Sequence, residues 1–193
     1  MEQTTHETAF IRGSRVHLRP PHKETDMMFF QRWINDPDVR KFLATRPPYT
    51  MIAEEKYFDT IGDNGDILFT ICLRDGTPIG STGLHQINRV DQTAVTGTWI
   101  AKPYWNQGYG TESKLLLLRI AFDTYNIRKV CSTVTAYNGR SIAHNQHAGY
   151  RIEGRRKKQH FRNGTYHDEI MLACFREWWW PKWREFRQTK RKK

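Results

Sequence analysis

A succession of extended segments in the middle of the chain most constrains what it folds into. The segments are residues 67–73, 78–87 and 93–101. They are rich in apolar and β-branched side chains, and turn-forming sequences such as Asp75-Gly76 separate them, which predicts an antiparallel meander. A glycine-containing loop, a helix with four consecutive leucines and a strand at residues 130–136 follow. Because the strands of a strand–helix–strand unit pair in parallel, the sheet is predicted to be mixed.

The segments before the meander predict one strand and then helices. Residues 9–19 alternate apolar and polar side chains, and residues 24–35 carry apolar side chains at helical spacing. Asp36-Pro37 ends that helix, and a short second helix is expected through Leu43. Thr50 is placed to cap a third helix, so two or three helices precede the meander.

The segments after the parallel unit predict one more helix and a hairpin. Residues 138–148 read as a helix, and Gly149 is placed as the left-handed residue that ends it. Residues 150–162 and 165–175 form two strands across the turn Asn163-Gly164. The predicted class is therefore α/β with a central, mixed, mostly antiparallel sheet and flanking helices.

Length and composition predict one folded domain with a terminal extension. The chain has 193 residues, of which 13% are aromatic, more than a disordered chain leaves unburied. Residues 1–175 are expected to form the domain, and residues 176–193 an extension that is aromatic and then basic. No signal peptide and no run of about 18 apolar residues occurs, so a cytoplasmic protein without a membrane span is expected. The three cysteines are widely separated, which favours neither disulfides nor zinc.

The basic charge makes polyanions plausible partners. The formal net charge is +11 and the pI is near 9.8. Phosphorylated cofactors, nucleotide-linked substrates and the ribosome surface all fit this charge. Much of the excess lies at residues 155–158 and 190–193, which equally fit a solvated hairpin and a terminal tail. The sequence leaves monomer and homodimer open.

A Gly-x-Gly loop is the main candidate for ligand binding. Gly108 and Gly110 allow a ligand to approach the backbone, and the helix that begins near Gly110 offers unpaired N–H groups and a positive dipole end, which suits a pyrophosphate. An ordinary strand-to-helix turn is the alternative. The dinucleotide fingerprint Gly-x-Gly-x-x-Gly is missing, and so is a phosphate-binding loop that ends in Gly-Lys-Ser or Gly-Lys-Thr.

Three motifs follow one another along the chain. They are Tyr104-Trp-Asn-Gln-Gly-Tyr-Gly-Thr-Glu, then Asn138-x-x-Ser141 followed by Gly149-Tyr150, and then Asn163-Gly-Thr-Tyr-His-Asp168. In this order they resemble the acetyl-CoA loop, the next helix and the closing hairpin of the GNAT superfamily, most closely its ribosomal-protein alanine N-acetyltransferases. The resemblance covers about residues 14–175. It implies a GNAT-like acyl-CoA N-acyltransferase fold that transfers acetyl from acetyl-CoA to a primary amine.

The resemblance also implies a set of cofactor contacts. The strands at residues 93–101 and 130–136 would splay at their ends, and the pantetheine arm would lie between them. The backbone of Trp99, Ile100 and Ala101 would pair with that arm. The implied pyrophosphate contacts are Gln107, Gly108, Tyr109, Gly110 and Thr111. Asn138 and Ser141 would face the thioester end.

Direct attack by an amine on the thioester needs a neutral amine and a proton donor for the departing thiolate. The resemblance makes Ser141 a candidate hydrogen-bond donor to the thiolate. The alternative is that Ser141 only caps the first turn of its helix. Two positions at which related enzymes carry a glutamate and a tyrosine hold Val95 and Asn145 here. Those two usual catalytic side chains are therefore missing.

Histidines supply the candidate bases. His160 lies just before the hairpin turn, where the resembling enzymes have a carboxylate, so it is the candidate base, and an exposed hairpin residue is the alternative. His85 and Glu112 are lesser candidates. His144 and His147 are three residues apart with no third ligand nearby, which favours an exposed helix face over a metal site.

The acceptor stays open at this stage. By resemblance it is the N-terminal amine of a protein. An amino group on a nucleotide-linked sugar suits the basic charge, whereas a polyamine does not. A different class of function is RNA binding through the basic tail and its tryptophans, with a vestigial cofactor site. Against it, residues 178–183 are expected to pack a terminal helix onto the sheet.

Overall fold

A computed structural model describes residues 8–43, 48–63 and 65–191, and for residues 190 and 191 only the backbone; within these residues eight strands form one sheet. The strands are β1 (Ile11–Arg12), β2 (Val16–Arg19), β3 (Ile67–Leu73), β4 (Pro78–Asn88), β5 (Thr93–Ile100), β6 (Lys129–Thr135), β7 (Arg151–Arg162) and β8 (Thr165–Phe175). Their order is β1-β2-β3-β4-β5-β6-β8-β7. The pair β5–β6 is parallel and the other neighbouring pairs are antiparallel, which confirms the predicted mixed sheet.

Helices flank this sheet. They are α1 (Lys23–Asn35), α2 (Pro37–Arg40), α3 (Met51–Asp59), α4 (Tyr109–Arg119), α5 (Gly139–His147) and α6 (Arg176–Arg191). The Oγ1 of Thr50 accepts the N–H of Ala53 at 3.2 Å, so Thr50 caps α3 as predicted. None of the helices in the described residues is long and apolar enough to cross a membrane.

Two predictions about the first part of the chain are wrong. Residues 9–19 form two short antiparallel strands rather than one, because the chain reverses after Gly13, whose N–H donates to Val16 O at 2.7 Å. The second helix ends at Arg40 rather than at Leu43. The N–H of Phe42 and that of Leu43 donate to carbonyls three residues earlier, so the chain tightens there instead of continuing an α-helix.

The core lies between α4 and the sheet, and the terminal tryptophans belong to it. Leu116, Leu117 and Leu118 of α4 are fully buried. Trp179 and Trp183 of α6 are also buried, and their rings stack with centroids 5.6 Å apart. These two rings are therefore unavailable to stack on nucleic-acid bases, which removes one support of the RNA-binding alternative. The basic run at residues 190–193 lies outside the described residues, except for the backbone of residues 190 and 191.

Candidate active site

The site begins where β5 and β6 part. Their parallel pairing covers only three residue pairs, of which Val95 with Cys131 is the last. Beyond that pair, β5 stays with β4 through Ile100, whereas β6 stays with β8 through Thr135. A gap therefore opens between the two strands toward their carboxyl ends.

This gap is part of a cleft with a volume of about 880 Å³. The cleft brings together most of the residues implied as cofactor contacts and one candidate base. They are Trp99, Ile100, Gly108, Tyr109, Gly110, Thr111, Asn138, Ser141 and His160. Ala101 and Gln107 do not line it. The N–H of Ala101 donates to Ile79 O at 2.8 Å, and the Gln107 amide donates to Pro103 O at 2.9 Å.

The glycine loop turns directly into α4. Gly108 has φ 82° and is the N-cap of the helix, so the first N–H groups of α4 point out of the loop with the positive end of its dipole. A Cβ at Gly108 would lie 3.0 Å from Nη2 of Arg15. The left-handed backbone favours glycine here, and any side chain at this position would press on the Arg15 guanidinium.

Arg15 does not line the cleft but contacts the glycine loop, and the sequence patterns did not single it out. Its Nη1 donates to Gln107 O at 2.7 Å, and its guanidinium lies 5.0 Å from the centroid of the Tyr109 ring. The carboxylate of Glu112 accepts from Nε of the Arg15 side chain at 3.1 Å and so fixes its position. It also accepts the backbone N–H of Ser14 and of Arg15. Glu112 is therefore a buried anchor outside the cleft lining, and its role as a lesser base candidate is not supported.

A second cationic side chain that the sequence patterns did not single out lies at the start of α5. Arg140 lines the cleft, and its guanidinium lies 3.6 Å from the centroid of Trp105. Burial lowers the pKa of Arg140, yet the group remains charged at neutral pH. The indole of Trp105 donates to Ile100 O at 2.6 Å, which fixes the ring beneath the guanidinium. Because Arg15 and Arg140 depend on contacts between segments far apart in sequence, no local motif marks either one.

Asn138, not Ser141, caps α5. The side-chain oxygen of Asn138 accepts the N–H of Ser141 at 3.2 Å. The alternative role considered for Ser141 is therefore wrong, because the cap position is already filled. Within the described residues, the structure gives the Ser141 hydroxyl no hydrogen-bond partner, and Ser141 lines the cleft.

The predicted exposed histidine face of α5 is only half correct. His147 is exposed, but the ring Nε2 of His144 is shielded from solvent and His144 lines the cleft. Burial, followed by the nearby Lys114, lowers the pKa of His144 to about 3, so the ring is neutral. No group of three or more metal-ligating side chains occurs in the part of the chain that the structure describes.

The β7–β8 hairpin brings a histidine and a carboxylate into the cleft. Nε2 of His160 lies 2.9 Å from Oε1 of Glu169, whose other oxygen accepts from Nη1 of Arg156 at 2.8 Å. Arg162 donates to Leu43 O at 2.6 Å and so ties the hairpin to the segment after α2. Glu169 was missed because it is five residues beyond the hairpin turn and faces His160 only across the two strands.

His85, the other lesser base candidate, lies elsewhere. Its Nδ1 is 2.8 Å from Oδ2 of Asp66, and neither residue lines the cleft. The ring is close to Gly97 on the neighbouring strand β5. His85 therefore forms a similar pair at a separate place, and the structure does not bring it to the proposed chemistry.

Comparison with known proteins shows the family to which the chain belongs. A family model described as an acetyltransferase (GNAT) domain matches residues 15–151. The chain belongs to the GNAT acetyltransferase family. This confirms the family that the three motifs indicated, and with it the activity of an N-acetyltransferase whose acetyl donor is acetyl-CoA.

Relatives of this GNAT acetyltransferase differ in the acceptor that their names give. Spermidine N(1)-acetyltransferase of Escherichia coli K12 is 26% identical over 161 residues, which are 83% of this chain and 86% of that protein. YdaF of Bacillus subtilis, provisionally named a ribosomal N-acetyltransferase, is 27% identical over 124 residues, which are 64% of this chain and 65% of that protein. Spermidine N-acetyltransferase of Vibrio cholerae, solved with CoA and spermine, superposes with a TM-score of 0.81 at 22% identity. That match covers 87% of this chain and 99% of the other and shows the shared fold.

Proposed function

We propose that this GNAT acetyltransferase acetylates the N-terminal amine of a protein by direct attack of the amine on acetyl-CoA in a ternary complex. The observation that carries the choice of acceptor is the charge of the cleft. Glu169 is the one carboxylate among its lining residues, whereas Arg140 and Arg162 are positively charged. A single amine next to neutral peptide groups suits this site better than a chain of several cations.

The glycine loop supports the cofactor position. The first N–H groups of α4 at Gly110 and Thr111, with the Arg140 guanidinium in the cleft lining, suit the pyrophosphate. Arg15 supports the loop through its bond to Gln107 O. The gap between β5 and β6 suits the pantetheine arm. Ser141 on α5 lines the cleft, and its hydroxyl has no hydrogen-bond partner among the described residues, which supports its role as hydrogen-bond donor to the thiolate.

His160 is the proposed base, and Glu169 positions it. An imidazole that is hydrogen-bonded through Nε2 to a carboxylate has its other ring nitrogen available to take a proton from the incoming ammonium group, directly or through water. The neutral amine then attacks the thioester carbon. Glu169 keeps the ring oriented and offsets the charge that His160 gains.

Contact with a polyanionic partner is a further part of this proposal. Strand β7 is at one edge of the sheet and exposes Arg155, Arg156, Lys157 and Lys158. Such a strip suits a phosphate-rich surface such as that of the ribosome, whose proteins would offer their N-termini as acceptors. Binding that weakens steeply with added salt is the expected signature.

A polyamine is the second candidate acceptor, because one sequence relative, the Escherichia coli protein, is a spermidine acetyltransferase by name. For this chain, a polyamine requires acidic groups for its second and third ammonium ions. In the cleft, Glu169 is already bonded to Arg156 and His160.

The test is an acceptor competition with purified protein and acetyl-CoA. The acceptors are a peptide with a free N-terminus, the same peptide blocked at its N-terminus but carrying an internal lysine, an amino sugar linked to a nucleotide, and spermidine. We expect the free N-terminal peptide to have the highest kcat/KM. A higher value for spermidine overturns the proposed acceptor and leaves the acetyltransferase activity standing.

A further inference from the structure

Lys114 places an amine in the floor of the cleft. Its side chain is 1% exposed and lines the cleft, and its Nζ lies 5.7 Å from the ring centroid of Tyr150. Within the described part of the chain, no ion pair links it to a carboxylate. Burial lowers its pKa from 10.5 to about 7, so a large fraction of the group is a neutral amine at neutral pH.

This amine lies at the closed end of the gap between β5 and β6. The hydroxyl of Tyr150, whose ring lies near Lys114 Nζ, is 3.0 Å from Oγ1 of Thr96. Thr96 in turn donates to the carbonyl of Cys131, a residue of the last β5–β6 pair, at 3.2 Å. Thr111, at the mouth of the gap, is one turn earlier on the same helix, about 5 Å along its axis. Lys114 therefore lies at the inner end of the same gap that is proposed to hold the pantetheine arm.

We propose that Lys114 is a self-acetylation site, at which acetyl-CoA bound in the cleft transfers its acetyl group to the same chain. The inference rests on the proposed cofactor position. The lone pair of the neutral Nζ attacks the thioester carbonyl carbon and forms an N–C bond. The C–S bond breaks, and the departing CoA thiolate takes the proton that the nitrogen releases. The products are acetyl-Lys114 and CoA, so no further reactant is needed.

The modification regulates the enzyme. Acetyl-Lys114 has no positive charge, and it is longer than lysine by the acetyl group, so it fills the inner end of the gap. Acetyl-CoA then binds less well to the modified chain. Self-acetylation competes with the normal acceptor for the same thioester, so it accumulates when acceptor is scarce and acetyl-CoA is plentiful.

Three titratable groups face Lys114, and one of them, Cys174, acts to raise its pKa against the larger effect of burial. They are His144 from α5, Cys174 from β8 and Tyr150. Burial lowers the pKa of His144 to about 3, raises that of Cys174 to about 12 and raises that of Tyr150 well above 10. All three are therefore neutral near pH 7. The rate of self-acetylation is expected to rise with pH through about 7 as Lys114 loses its proton.

The experiment incubates the full chain with deuterium-labelled acetyl-CoA and no acceptor, and maps labelled lysines by mass spectrometry. We expect label at Lys114 at least about tenfold faster than at the exposed Lys157, because the reaction is intramolecular. The rate constant saturates with acetyl-CoA and does not change with protein concentration. Gly108→Trp, which blocks the loop, abolishes the label. As a control, Lys102→Arg, a change at an exposed lysine outside the cleft lining, leaves the labelling of Lys114 unchanged.

Isothermal titration with acetyl-CoA on the same samples separates the two proposals. Acetyl-CoA binding without label at Lys114 overturns self-acetylation and leaves the proposed function standing. A rate constant that grows with protein concentration, or equal label in Gly108→Trp, overturns it as well. Absence of acetyl-CoA binding overturns both proposals. Because the wild-type chain carries the main readout, the test does not depend on a variant of Lys114 that folds.

Discussion

Nε2 of His160 and Oε1 of Glu169 are 2.9 Å apart, and the pair faces the cleft from the two strands of one hairpin. Side-chain exposure is 27% for His160 and 7% for Glu169, so the carboxylate is the shielded partner and the imidazole is the one open to solvent. This asymmetry is what a base and its positioning residue require.

His160→Gln is expected to lower kcat/KM by about 100-fold, because glutamine keeps the size and polarity of the side chain but takes no proton. The dependence of kcat/KM on pH is also expected to change, because glutamine cannot act as the base. Acetyl-CoA affinity stays the same. Steady-state kinetics across pH measure the first two effects and isothermal titration the third.

His85→Gln is the matched control, because His85 also pairs with a carboxylate, that of Asp66 at 2.8 Å, but outside the cleft lining. It should keep wild-type kcat/KM and pH profile. An unaltered pH profile in His160→Gln would remove His160 as the base. Equal losses in the two variants would point to a general effect on the fold.

Gly108→Ala is expected to raise the Kd for acetyl-CoA by about tenfold, which corresponds to ~1.4 kcal/mol. The new Cβ meets Nη2 of Arg15 at 3.0 Å, and φ 82° is unfavourable for alanine. Gly76→Ala is the control, since Gly76 has φ 91° with nothing within 4 Å of a Cβ. It shares the backbone strain but not the guanidinium. Titration of both variants with acetyl-CoA measures the difference, and an equal Kd in the two would contradict a role for the loop.

The sequence was sufficient for what depends on local pattern. The meander, the parallel pair and the hairpin at Asn163-Gly164 follow from strand composition, turn residues and connection length, and the structure confirms them. Residues 9–19 were assigned as one strand because apolar side chains occur at Ile11, Val16 and Leu18. The chain reverses after Gly13, and the carboxylate of Glu112, 98 residues away in sequence, accepts the N–H of Ser14 in that reversal.

The residues of the site also fall into those that a local motif marks and those that only distant contacts bring together. Gly108, Gly110 and Ser141 were found because a motif surrounds them. Glu169 and Lys114 carry no motif, since the first acts through a cross-strand pair and the second is a lysine within an apolar helix face. A lysine beside four consecutive leucines is the one signal that could have indicated a buried amine.

Lys114→Met is expected to stabilise the chain at pH 7 by about 1–4 kcal/mol, because it removes a buried charge. The pKa of Lys114 falls from 10.5 to about 7 on folding, so between these values the unfolded chain binds more protons. Stability therefore rises with pH across that window, and is lowest where Lys114 is charged in both states. Thermal unfolding at several pH values should show this slope in wild type and a smaller slope in Lys114→Met. Lys157→Met, at an exposed site, should leave the slope unchanged.

Asp26→Asn is expected to cost about 3–5 kcal/mol of folding free energy, because it breaks a buried ion pair. Asp26 accepts from Arg19 at 2.6 and 2.8 Å and from Thr70 at 2.7 Å. Burial acts to raise the pKa of Asp26, but the hydrogen bonds from Arg19, the His22 N–H and Thr70 outweigh it and the pKa is lowered. The stabilisation is therefore present above the unfolded value of 3.8 and is lost as pH falls through the folded pKa.

Urea unfolding of Asp26→Asn beside Asp75→Asn measures this cost. Asp75 is an exposed carboxylate in the β3–β4 turn, where it accepts the N–H of Thr77. Its replacement should cost far less than that of Asp26. If the stability of Asp26→Asn falls at acid pH as steeply as that of the wild type, other carboxylates govern acid stability.

Trp179→Ala tests the proposed boundary between the domain at residues 1–175 and the terminal segment. Trp179 is fully buried and lies 5.3 Å from the ring of Phe122, at the π-helical turn that follows α4, whereas its neighbour Trp180 is 43% exposed. Removing the buried indole should cost about 3–5 kcal/mol and lower the Tm clearly, while Trp180→Ala should change it little. If the two variants unfold alike, α6 is a dispensable extension. If Trp179→Ala alone is destabilised, α6 completes the core, and a chain that ends at Phe175 will not hold the cleft in shape.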